Sequence, residues 1–129
     1  MRPSNQSKNL AEMFAKVATP SEFGYALQDF LDCFSREPDP RLVADEPALL
    51  TMVFDDEGLF DAYLASVAAW VCRMHALPAP TWTRGAARAV QAPWFASQEP
   101  SLKRKYLVES PSEFRVRNLF VSANALSRA

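Results

Sequence analysis

The amino-acid sequence predicts an all-α fold: an irregular single-domain helical bundle over residues 1–129, built around one long buried central helix, with a proline- and aromatic-rich loop. Three observations carry the prediction. Apolar side chains recur at the i, i+3, i+4, i+7 spacing of a helix face in several stretches. Glycine is scarce, three residues against ten prolines, and none of the Asn-Gly, Asp-Gly or Gly-Gly pairs that favour tight β-hairpins occurs. Scattered prolines suit short helices with abrupt ends. A chain of 129 residues, 49% hydrophobic and 22% charged, has the size of one domain and enough apolar surface to bury a core without staples.

The elements follow in order. Leu10, Met13, Phe14 and Val17 form one helical stripe, which stops at Thr19-Pro20 because the residue before proline avoids helical backbone. A second helix starts at Ser21, with Phe23, Ala26, Leu27, Phe30, Leu31 and Phe34 on one side, and Glu37-Pro38-Asp39-Pro40 ends it. Residues 41–54 read as two short helices split near Pro47. Asp55-Asp56-Glu57 opens the strongest helix, running to about Leu77, since acids favour the positive end of a helix dipole. Its main stripe is Phe60, Tyr63, Leu64, Val67, Trp70, Val71 and Met74. The opposite face is alanine, which lets a second helix approach closely. Phe30, Phe34, Phe60, Leu64, Val67 and Val71 are the expected buried residues.

Residues 78–98 read as irregular, pinned by Trp82, Trp94 and Phe95 between prolines, with a short helix from Arg84 to Val90. A helix follows from about Pro100 to Glu109. Ser110, Pro111 and Glu113 have the spacing of a capping box, so Ser110 is expected to cap a short helix ending near Asn118. Leu119-Phe120-Val121 reads as an extended or strand-like run, and residues 123–129 as a terminal turn.

Charge is unevenly placed. From Glu22 to Asp61 there are eleven acids and two bases, and from Ala62 to Ala129 nine bases and three acids, although the net charge is only −1. Either the two halves pack together and neutralise each other, or the second half presents a basic surface to an acidic partner. The basic residues cluster as Lys103-Arg104-Lys105 and as Arg115 and Arg117. The first cluster reads as a solvated helix face or a binding site. The second reads as a phosphate or partner grip beside Phe114, or as ion pairs with the acidic half.

Catalytic chemistry has little support. His75 is the only histidine, three positions after Cys72, and two such ligands do not make a zinc site, which takes four, or three plus water. Near a helix C-terminus its ordinary role is to meet free carbonyls. Asp55-Asp56-Glu57-Gly58 lacks the alternating ligands of a calcium loop, and no glycine-rich phosphate loop or GxSxG occurs. Cys33 and Cys72 sit in apolar runs and read as buried thiols. The first residues carry no apolar signal core and no stretch is long enough to span a bilayer, so the expectation is a soluble cytoplasmic protein with no membrane contact, no cofactor and no metal.

One pattern is more specific. It runs Leu77-Pro78-x-Pro80-x-Trp82-Thr83, then Pro93-Trp94-Phe95, then Glu109-Ser110-Pro111-x-x-Phe114-Arg115-x-Arg117-Asn118-Leu119-Phe120-Val121, with Ala125-Leu126. Over roughly residues 65–129 it resembles an uncharacterised bacterial family, found as small free-standing proteins and as the C-terminal region of XRE-type helix-turn-helix regulators encoded beside nucleotidyltransferase-type toxins. The resemblance implies an accessory or antitoxin-like module. It brings no catalytic residues, and this chain has no recognisable DNA-reading helix-turn-helix. The sequence therefore points to a non-enzymatic protein-interaction module acting through Arg115 and Arg117 first, with Lys103, Arg104 and Lys105 beside them. A nucleic-acid-binding role for the same basic surface is the alternative, and a homodimer is compatible with the apolar stripes.

Overall fold

The computed structural model describes residues 9–51 and 53–126, and it is mostly helical. Among the described residues six α-helices occur: α1 (Leu10–Met13), α2 (Pro20–Arg36), α3 (Arg41–Ala44), α4 (Leu59–Met74), α5 (Pro100–Glu109) and α6 (Ser112–Arg115). Two 3₁₀ turns, Thr81–Arg84 and Ala86–Arg88, precede a two-residue strand β1 (Trp94–Phe95), which pairs in parallel with β2 (Leu119–Phe120). No helix among the described residues is long and apolar enough to cross a membrane.

The N-terminal stripe is half helix and half turn. Asn9 and Glu12 form a capping box around α1, but regular helix ends at Met13 and a turn carries Phe14 and Val17 inward. Both are buried, so the apolar spacing predicts burial correctly and helix length incorrectly. Thr19 does more than end that segment. Its hydroxyl accepts the Glu22 N–H at 3.1 Å and caps α2, with Pro20 in the first turn where a missing N–H costs nothing. Phe23, Phe30, Leu31 and Phe34 of α2 are buried as the stripe requires.

Residues 41–54 hold one helix where two are expected. After α3 the chain turns at Leu50, whose carbonyl accepts the N–H groups of Val53 and Phe54. Leu42, Val43 and Leu50 are buried in this irregular form. The helix opened by the acids also starts later than their position suggests. Glu57 (φ 59°) and Gly58 (φ 86°) are left-handed, and α4 begins at Leu59. Asp56 still serves the helix start, its carboxylate accepting the N–H groups of Gly58 and Phe60, both at 3.0 Å.

The faces of α4 divide differently from expectation. Leu64, Val67 and Val71 are buried, but Phe60, Tyr63 and Trp70 are half-buried and Met74 is exposed. The alanine side is closed: Ala62, Ala65, Ser66, Ala69 and Cys72 are buried. Small side chains there admit close neighbours, and α6 and both 3₁₀ turns pack against this helix. Phe114 of α6 meets Tyr63 edge-on with ring centres 5.1 Å apart, and Phe23 stacks on Phe60 at 4.3 Å.

The long loop is tied down by backbone, not by aromatics alone. Trp94 N–H donates to the Asn118 carbonyl and Ala96 N–H to that of Phe120, each at 2.9 Å. Asn118, left-handed at φ 67°, turns its amide nitrogen back to the Val90 carbonyl at 2.9 Å. Phe95 and Phe120 stack at 4.9 Å. Trp82 donates its indole N–H to the Val43 carbonyl at 2.8 Å. The expected helix from Arg84 to Val90 is replaced by the 3₁₀ turns.

Candidate functional site

The site subject to test is the basic surface of α5 and α6. α5 runs over the expected residues and is capped by Glu99, whose carboxylate accepts the Leu102 N–H at 3.0 Å and bonds the Ser101 hydroxyl. These bonds hold the Glu99 carboxyl below its usual range, the Ser101 contact most. The helix ends at Ser110, which does not cap α6. Its hydroxyl lies 2.6 Å from the Tyr106 carbonyl and 3.0 Å from that of Val121, and accepts the Val121 N–H at 2.9 Å. A buried hydroxyl shared this way fastens the end of α5 to the segment after β2. α6 follows Pro111 without a side-chain cap, and Glu113 pairs with Arg73 on α4.

Ser110, Tyr106 and Lys103 fix which side of α5 faces inward, since they lie three to four residues apart. Lys103 is half-buried and its ammonium sits 5.0 Å from the centre of the Phe95 ring, a cation–π contact of about 0.5–1 kcal/mol. It is therefore an anchor of α5 and only partly a surface charge. Arg104, Lys105 and Val108 lie on the outward side and are exposed. Arg115 is exposed too, and its guanidinium reaches the Val108 carbonyl at 3.5 Å, which joins the end of α6 to the outer end of α5.

Arg117 does not belong to this surface. It is only 7% exposed. Its Nε and Nη2 donate to the Thr83 carbonyl at 3.2 and 2.7 Å, and Nη1 to the Glu113 carbonyl at 2.6 Å. Burial lowers its pKa, partly offset by the nearby Glu113 carboxylate. The physical reason is register: α6 is a single turn, so two residues on from Arg115 the chain is already in the turn that leads to β2, and the side chain points inward. Arg117 stitches the Thr83 turn to α6 and is removed from the set of surface contacts.

The structure adds apolar groups the basic pattern does not announce. Val108 and Val116 are 77% and 72% exposed, and Leu107 is exposed as well. α5 has no buried residue at all. The available signal was the weak helical spacing of apolar residues in 100–109. The surface thus combines exposed aliphatic side chains on α5 and just after α6 with the cations of Arg104, Lys105 and Arg115.

The thiols and His75 form no cluster with this surface. Cys72 is buried and Cys33 half-buried, both free, and burial raises the Cys72 pKa. His75 ends α4 and lies against Phe34 with ring centres 5.3 Å apart. Comparison with known proteins finds no family model, curated protein or solved structure that matches this chain.

Proposed function

We propose that this protein is a non-enzymatic interaction module whose docking face is the outer side of α5 together with Arg115 and Val116. The observation that supports the reading is the coexistence, on a helix with no buried residue, of exposed Leu107 and Val108 with Arg104 and Lys105, with Arg115 of α6 reaching the end of that helix. Solvent-facing aliphatic groups gain from being covered, while flanking cations select an acidic partner and speed its approach. A protein surface fits this mixture better than nucleic acid, whose backbone rewards cations and offers little to valine. An antitoxin-like or regulatory accessory role agrees with the resemblance of the C-terminal third, and the same reading takes the chain as a single cytoplasmic domain organised around α4.

Charge reversal tests it. Tagged wild type and an Arg104→Glu/Lys105→Glu/Arg115→Glu variant are compared in nuclease-treated extracts of the native host. One stoichiometric acidic protein, held by wild type and lost by the variant, is the expected result. Retention by wild type and variant alike, or release by nuclease, would overturn it, the latter in favour of nucleic-acid binding with its steep salt dependence.

A further inference from the structure

A second feature lies away from the basic surface. The turn before α4, the first turn of α4 and the segment from Ala87 to Trp94 enclose an open cleft of about 840 Å³. Asp56, Glu57 and Asp61 line one side, and Leu59, Val90 and Trp94 give it apolar surface. None of the described lining residues is basic. Arg88 belongs to the same segment, but its side chain is 0% exposed and turned inward. Its donors go to the Glu46 carboxylate at 3.1 and 3.2 Å and to the carbonyls of Pro47 and Asp61.

Asp61 is the unusual member. It is 1% exposed on a helix whose neighbouring positions are apolar. One oxygen, Oδ1, accepts the Leu50 N–H at 2.6 Å and lies 3.7 Å from Arg88 Nη1. The other, Oδ2, is buried with no hydrogen bond among the described residues. A buried carboxylate oxygen without a donor is costly, and such atoms mark places where a partner is missing. Arg88 already faces the charge of Asp61, so the orphaned oxygen asks for a hydrogen-bond donor, and the carboxylates of Asp56 and Glu57 on the same cleft favour a donor that is positively charged. A metal ion is not what the geometry offers, since no group of three His, Cys, Asp or Glu side chains converges among the described residues.

We propose that this cleft binds a small organic cation, an ammonium or guanidinium group on an apolar body. The N–H donors satisfy Asp61 Oδ2, Asp56 and Glu57 supply the field, and Trp94, Val90 and Leu59 cover the body. This site stands apart from the docking face of α5 and does not depend on it.

Benzylammonium is the test ligand, followed through the amide resonances of Gly58 and Val90 and the Trp94 indole. Saturable shifts there are expected. Benzyl alcohol and phenylacetate should bind about tenfold more weakly or worse, because they lack the charge. Benzyltrimethylammonium keeps the charge but has no N–H, and should also bind more weakly. Asp61→Asn and Glu57→Gln should each weaken benzylammonium. Should D61N fail to fold, Ala87→Trp carries the test: residue 87 is exposed at the rim, so the variant should abolish binding and leave the unfolding midpoint near wild type. Absence of saturable shifts, equal affinity for phenylacetate, or unchanged binding by A87W would overturn the proposal.

Discussion

Arg115 and Arg117 carry the same group two positions apart, yet one lies on the surface and the other gives three donors to the carbonyls of Thr83 and Glu113. Sequence alone treats them as a pair, because the turn of chain that separates them is a tertiary event at the end of α6. Their substitutions should part accordingly. Arg117→Ala leaves buried carbonyls unpaired and is expected to cost about 3 kcal/mol in urea unfolding. Arg115→Ala is expected to stay within ~0.5 kcal/mol of wild type, since surface changes away from such features do. Cys72 adds a pH effect. Burial raises its folded-state pKa, so the stability it contributes is present below the ordinary thiol range and lost as pH rises through the raised value. Replacing it with alanine should flatten the alkaline limb of a stability–pH curve. A thiol reagent should modify half-buried Cys33 well before Cys72.

At the level of elements, helices were most legible where local chemistry marks both ends. α5 has Pro100 at its start and Ser110-Pro111 after its end, and its bounds match. α2 has a strong apolar side and ends before Pro38. The failures share a cause: helical spacing reports which side chains go inward and says nothing of whether turns can deliver them. Phe14, Val17 and Leu50 reach the core from turns. The β1–β2 pairing was half legible, since the extended run at 119–121 stands in the sequence but its partner at Trp94 is set by contacts far along the chain. Ser110 was read as a helix cap, and its hydroxyl instead joins Tyr106 to Val121. Ser110→Ala therefore tests the fastening of α5. It should lose about 1–3 kcal/mol, and the Val121 amide should exchange hydrogen faster, with α2 amides changed only in step with global stability.

Across the whole molecule, the two unequally charged halves meet at a buried arginine. Arg88 from the basic half sits among Glu46 and Asp61 of the acidic half. Truncating it to alanine strands Asp61 in the interior and is expected to cost about 3–5 kcal/mol, whereas Arg88→Met with Asp61→Asn should recover part of that loss, because the stranded charge is gone and the amide oxygen still accepts the Leu50 N–H. Arg104 and Lys105 on the outer side of α5 take no part in that meeting and are exposed. The candidate site is legible there in part: Arg104, Lys105 and Arg115 stand in the sequence as basic clusters, but the exposure of Val108 follows from how Lys103, Tyr106 and Ser110 turn the helix, which is decided by Phe95 and Val121.

The most direct test of the docking face is site-specific photo-crosslinking in the native host. A benzophenone side chain replaces Val108, and a second variant carries it at Tyr25, which is equally solvent-facing on the acidic side of α2. A single adduct of defined mass from position 108, insensitive to nuclease and missing from position 25, is the predicted result. No adduct at 108, or the same adducts from both positions, would contradict the assignment of this surface as the one through which the protein acts.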